Sequence, residues 1–178
     1  GLRRPKQTIL GSEIAGEIAA VGNGVTRFAV SDRVMAATGD TFGAHAEYVV
    51  LPQDAAVAHM PEAASFEQGV ALAEGPMTAL PFLRDHGRIE PGMHVLINGA
   101  SGSVGSAAVQ LAKHLGATVT GVCSTRNVEL VRSLGADHVI DYTQSDFTAA
   151  RDRYDIVFDV VGKSSFGQVK AALRDGGV

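Results

Sequence analysis

Val95-Leu96-Ile97-Asn98-Gly99-Ala100-Ser101-Gly102-Ser103-Val104-Gly105 is an apolar run that ends in evenly spaced glycines. The run reads as a buried strand, the glycines as a turn, and the residues from Val104 onward as a helix. Gly99 permits a tight exit from the strand. Gly102 lets backbone approach a pyrophosphate with no Cβ in the way, and Gly105 lets the helix come close to the sheet. The helix start then offers unpaired N–H groups and its positive dipole end to phosphates. Gly99, Ala100, Ser101, Gly102, Ser103, Val104 and Gly105 are therefore candidate cofactor-binding residues. The spacing is G-x-x-G-x-x-G and not the dinucleotide G-x-G-x-x-G, so spacing alone is equally compatible with a bend that serves only geometry.

Outward from the turn, the chain alternates strand and helix. Strands are predicted at His94–Asn98, Thr118–Val122, His138–Ile140 and Ile156–Val160, with helices at Val104–Leu115 and Val128–Leu134. Strands spaced by helices imply right-handed βαβ units and a parallel sheet. Along the first helix Val104, Ala107, Ala108, Leu111, Ala112 and Leu115 recur on one face, with alanines small enough for close packing. Ser65 with Glu67 and Gln68 marks an earlier helix start, and Gly75-Pro76 opens another that Gly87 closes. Before that lie short apolar runs, Ile14–Val21, Arg33–Ala37, Ala46–Leu51 and Ala56–His59, broken by Gly, Asn, Asp and Pro in the manner of a small sheet or barrel. The expected division is 1–63 and 64–178, and no internal repeat is visible.

Composition narrows the function classes. A formal charge of −4 gives no general attraction to nucleic acid or anionic lipid. No run of about 18 apolar residues exists, and the basic start Leu2-Arg3-Arg4-Pro5-Lys6 leads into no secretory apolar core, so neither membrane nor export is expected. A lone cysteine, Cys123, rules out an internal disulfide and multi-thiolate zinc, and points to a cytoplasmic protein. His45, His59, His86, His94, His114 and His138 show no ligand spacing and read as surface or core residues.

Asn98–Gly116, NGASGSVGSAAVQLAKHLG, closely resembles the turn and first helix of the zinc-independent, quinone oxidoreductase-like members of the medium-chain dehydrogenase/reductase superfamily. The similarity runs along the chain in order. Gly11–Glu17, Val21-Gly22, Phe28, Ser31–Val34, Ala46–Tyr48, Thr78-Ala79, Leu134–Asp137, Ile140–Tyr142 and Asp159–Gly162 all fall in the family's sequence. The resemblance implies an α/β fold: a Rossmann-type parallel sheet, incomplete at about four strands, preceded by part of a GroES-like, mostly β catalytic domain. Family members hold substrate and nicotinamide in the cleft between the two and are often dimers, so a homodimer acting on a small carbonyl or quinone is expected. The chain begins at Gly1 within an ongoing pattern. It stops at Gly176-Gly177-Val178 as a fifth strand should start, which would leave the fourth strand a bare edge and suggests a shortened chain.

Zinc-dependent relatives carry Gly-His-Glu where this sequence has Gly11-Ser12-Glu13, and a hydroxyl binds zinc poorly. No metal ligand is expected. NAD-selective folds end their second strand in an acid, whereas Val122-Cys123-Ser124-Thr125-Arg126-Asn127 has none before Glu129. Ser124, Thr125 and Arg126 suit a 2′-phosphate, so NADP(H) is the expected cofactor, against the alternative of a solvated loop. By resemblance Tyr142 borders that phosphate, and Thr78 and Gly162 lie near the nicotinamide ribose. Glu74 and Asp159 read as structural, and Cys123 as a packing residue. No catalytic residue is assigned. The expected activity is NADPH-dependent hydride transfer to a quinone, enone or similar conjugated carbonyl. The rivals are a zinc-free alcohol or aldehyde reductase and an NADPH-binding sensor or structural protein without turnover.

Overall fold

The computed structural model describes residues 6–149 and 153–178, so Leu2–Pro5 of the basic start lie outside the described residues. Two compact units divide at Glu74 and Gly75. In the first, β1 (Glu13–Glu17), β2 (Arg33–Ala37) and β3 (Val57–His59) form an antiparallel sheet in that order. Helix α1 (Phe66–Ala73) opens with a capping box in which the Gln68 N–H donates to Ser65 Oγ and the Ser65 N–H donates to Gln68 Oε1. It lies close on the sheet: a Cβ at Gly69 would stand 2.7 Å from Met60 Cε and 3.0 Å from Ala15 Cβ. That packing puts α1 in the first compact unit.

Two readings of this half change. Ile14–Val21 is a strand only through Glu17, beyond which the chain continues with Ile18 exchanging bonds with Ser31 and Asp32. Ala46–Leu51 forms no strand. Gly43, Ala44 and His45 donate to the carbonyls of Ile9, Gly11 and Leu10, but pairing stops there, and Tyr48 and Val50 stand 77% and 95% exposed. A β-like pattern becomes a strand only where a neighbouring backbone accepts and donates.

In the second unit β4 (His94–Asn98), β5 (Thr118–Cys123), β6 (His138–Asp141) and β7 (Ile156–Asp159) make a parallel sheet in the order β6-β5-β4-β7. Helices α2 (Gly75–Pro81), α3 (Ser103–His114), α4 (Val128–Ser133) and α5 (Phe166–Val169) connect and cover it, and α2 runs on through a π-type turn, Phe82–His86, to Gly87. Val95 and Ile97 point into one apolar layer with Ala108 and Ala112 of α3, while Leu96 points into the other with Val122, Tyr154 and Ala172, the alternation expected of a strand covered on both faces. The predicted apolar stripe of α3 omits Val109, which is fully buried because α2, carrying Ala79 into the same core, flanks the helix on a second side. Nor is β7 a bare edge: Val178 donates to Asp155 O at 2.9 Å and accepts from the Val157 N–H at 2.8 Å, and Leu173 forms a parallel bridge with Tyr154. The returning chain covers the strand it would otherwise leave open.

Leu96 is fully buried between layers. Leu96→Ala should lower unfolding stability in urea by about 2–5 kcal/mol, whereas Tyr48→Ser, at an exposed position, should change it by less than about 0.5 kcal/mol.

Candidate functional site

The turn after β4 is built from the end of the neighbouring strand. The N–H groups of Gly99 and Ala100 both donate to the Val122 carbonyl, at 3.1 and 3.0 Å, which bends the chain sharply off the sheet. Gly99 takes φ +86°, and a Cβ there would stand 2.7 Å from Val161 Cγ2, so both conformation and space require glycine. At Gly105 a Cβ would fall inside the Gly99 carbonyl and within 2.9 Å of Ala100 Cα, so α3 approaches the turn itself more closely than any other residue allows. Gly102 differs: its backbone is extended, and a Cβ would meet only Gly99 O at 3.5 Å. The protein has room there, and the exposed outer side is left clear for a ligand.

The amides divide into two sets. Those of Gly99, Ala100 and Gly102 are engaged, the last by Gly99 O at 3.0 Å, and Ser106 is the first residue of α3 to donate backward, to Gly102 O at 2.8 Å. Among the described residues the N–H groups of Ser101, Ser103, Val104 and Gly105 donate to no protein acceptor. These are the amides available to an anion at the positive end of a helix of 12 residues. Helix α2 abuts the same end, because a Cβ at Gly75 would stand 2.9 Å from Ser103 Oγ; Thr78, half-buried, lies one turn further along it.

Beyond β5 the chain forms a 3-10 turn, Thr125–Asn127, started by Ser124. Asn127 Nδ2 donates to Ser101 Oγ at 3.0 Å and to Ser124 Oγ at 3.3 Å. Arg126 is exposed and, among the described residues, its side chain has no partner. Thr125 is differently placed: its hydroxyl donates to Asp141 Oδ2, in the strand paired beside Cys123. Asp141 also accepts from the Thr143 N–H and hydroxyl and from Gln144 Nε2. The Thr125 hydroxyl leads these donors in holding its carboxyl below the usual range. An acid thus stands beside this loop after all, contributed by β6. Tyr142 is 59% exposed, with its N–H on Cys123 O. Cys123 is buried, and burial pushes its thiol up, which fits packing and not reactivity.

Asp159, at the end of β7, organises the next loop. Its Oδ1 accepts from Asn98 Nδ2 at 2.8 Å and from the N–H groups of Val161 and Gly162, and Oδ2 accepts from the Ser164 N–H. Burial pushes this carboxyl up, but the Ser164 N–H, the Asn98 amide and the Gly162 N–H outweigh it and hold the group below the usual range. The loop carrying Gly162, at φ +67°, is thereby fixed beside Gly99.

Family models match both halves of the chain: one described as alcohol dehydrogenase GroES-like domain at residues 1–62, and one described as zinc-binding dehydrogenase at residues 103–178. The chain belongs to the medium-chain dehydrogenase/reductase family. It is 39% identical to a quinone oxidoreductase of Pseudomonas aeruginosa, covering 88% of this chain and 50% of that protein. It is 34% identical to the chloroplastic NADPH-dependent alkenal/one oxidoreductase of Arabidopsis thaliana, covering 97% of this chain and 46% of that one. The solved quinone oxidoreductase of Coxiella burnetii superposes with a TM-score of 0.85 at 34% identity, over 94% of this chain and 53% of the other. The chain spans about half the length of these relatives.

The description matched at residues 103–178 names zinc, which needs a convergent set of imidazole, thiolate or carboxylate ligands. Ser12 Oγ donates to Glu74 Oε2 at 2.9 Å, which sets a hydroxyl against a carboxylate, and His45 packs on Gly11. Among the described residues no three His, Cys, Asp or Glu side chains converge as a ligand set. A hydroxyl already bonded to a carboxylate is a weak zinc donor. Sequence reasoning missed the Ser12–Glu74, Asn98–Asp159 and Thr125–Asp141 pairs, because each joins residues distant in sequence.

Asp159 has a depressed folded-state value, so its stabilisation is complete above the ordinary carboxylate value of about 3.9 and is lost as pH falls below that toward the folded value. Asp159→Asn should cost about 2 kcal/mol at pH 7 and flatten the decline in stability between about pH 5 and pH 2, measured by urea unfolding across that range.

Proposed function

We propose that this chain is the cofactor-holding part of an NADPH-dependent oxidoreductase that passes a hydride, without zinc, to a quinone, enone or similar conjugated carbonyl. The observation that carries this reading is the pairing of free amides at the start of α3 with a polar, acid-free exit from β5. The amides of Ser101, Ser103, Val104 and Gly105 suit the pyrophosphate. Ser124 and the exposed Arg126, whose side chain has no partner among the described residues, suit a 2′-phosphate, with exposed Tyr142 at its border.

An acid in this place holds the ribose diol of NADH, and Asp141 stands here. Its acceptor sites are already taken, however. A carboxylate offers about four lone-pair positions, and Thr125, Thr143 through two groups, and Gln144 occupy them. The acid therefore shapes the loop instead of gripping the ribose, and the reading remains NADP(H).

When bound, the reduced nicotinamide supplies the hydride. The chain's own residues position it. The glycine turn would fix the phosphates, the Asp159-held loop would hold Gly162 beside them, and Thr78, one turn along α2 from the Gly75 that abuts α3, would border the ribose, so that donor and acceptor carbons meet in near-attack geometry. Without a metal, hydrogen bonds polarise the carbonyl and solvent returns the proton to the enolate. The names of the Pseudomonas and Arabidopsis relatives support the quinone and enone classes.

Titration followed by nicotinamide fluorescence should show NADPH binding at least tenfold more tightly than NADH, and Arg126→Ala should weaken NADPH roughly tenfold while leaving NADH unchanged. Tighter binding of NADH would overturn the cofactor reading. Turnover with quinones and enones, and not with simple alcohols plus NADP⁺, separates the proposed activity from an alcohol dehydrogenase. Binding without any turnover by the whole protein would mark a sensor.

A further inference from the structure

Two subsites of the proposed cofactor groove are joined by one side chain. Asn127, half-buried at the end of the 3-10 turn, reaches Ser101 in the glycine turn and Ser124 at the exit of β5. A primary amide has two N–H donors, and these contacts use its nitrogen on both serines at once. The consequence lies in the hydroxyls. An oxygen that accepts from Asn127 keeps its own O–H to donate elsewhere, and among the described residues neither Ser101 nor Ser124 donates to a protein acceptor.

We propose that Asn127 is a positioning residue that turns the Ser101 and Ser124 hydroxyl protons outward, toward the pyrophosphate and the adenosine ribose phosphate respectively, and so couples the two ends of the cofactor's phosphate chemistry. This rests on the NADPH reading above. It adds a residue that touches no cofactor in the proposal yet sets the direction of two donors that do. A neutral amide is the right group. It donates to both hydroxyls and brings no charge, whereas a carboxylate of the same shape would accept from both, draw their protons inward and set a negative charge beside bound phosphate.

The fold offers independent reasons for the geometry to hold. Ser101 is tied to the turn that Val122 fixes, and Asn127 itself is anchored by its N–H on Ser124 O at 2.9 Å. The amide therefore bridges the glycine turn to a 3-10 turn that its own backbone N–H helps to close.

The test compares Asn127→Asp with Asn127→Ala, both checked for unchanged melting temperature, by titrating each with NADPH and with NADH. Asn127→Ala frees the serines, and Asn127→Asp reverses them. The expected order of NADPH affinity is wild type, then Asn127→Ala, then Asn127→Asp, with about a tenfold loss between the last two. Equal affinities for the two variants, or an Asn127→Asp as tight as the wild type, overturn the proposal. A second measurement holds even if Asn127→Asp folds poorly. Ser101→Ala should weaken NADPH severalfold in the wild-type background and by clearly less in the Asn127→Ala background, and an equal effect in both overturns the coupling. Failure of the underlying reading looks different. If the wild type prefers NADH, the cofactor assignment falls, while the order of the variants, read with NADH, still decides the role of Asn127. If the wild type binds neither cofactor, both fall together.

Discussion

The Val122 carbonyl accepts two backbone N–H groups, from Gly99 and Ala100, and most of the candidate site is a consequence of that shared bond. It ends β4 by folding the chain over the tip of β5. The bend needs φ +86° at Gly99 and brings the Gly99 carbonyl so near α3 that Gly105 can carry no side chain. With those two constraints satisfied, the first turn of α3 has one place to go, and its unpaired amides lie beyond the carboxyl ends of β4 and β5, where ligands bind in open parallel sheets. Val161, packed on Gly99, and Asn127, bonded to Ser101, then bring the neighbouring loops to the same end.

The second unit was the more legible part of the fold. β4, β5 and α3 have long, strongly periodic patterns, and their observed bounds differ by a residue at most from those predicted. What failed was information that lies between elements. Val109 sits off the predicted stripe because a second helix covers it, α1 joins the first unit because it packs on that unit's sheet, and Tyr48-Val49-Val50 reads as a strand yet has no backbone bonded to it among the described residues. Periodicity reports which face of an element is apolar, but it does not report what lies against that face.

The candidate site divides in the same way. The separate duties of Gly99, Gly102 and Gly105 follow from local stereochemistry and were readable in one dimension. The amides that remain free were not: Ala100 and Gly102 look available until Val122 and Gly99 are seen to occupy them. The acid absent from the end of β5 arrives through the register of Cys123 with Asp141, and Asp159 acts through Asn98 across the neighbouring strand. The search for an acid along β5 alone therefore gave the right answer about that strand and an incomplete one about the loop.

Amide chemical shifts of isotopically labelled protein, followed as NADPH is added, test the account most directly. It predicts that the largest changes fall on Ser101, Ser103, Val104 and Gly105, with Ala100 and Gly102 shifting less because their hydrogen bonds to Val122 and Gly99 are already made. Saturable NADPH binding that left Ser103–Gly105 unmoved and perturbed residues away from the ends of β4 and β5 would contradict it.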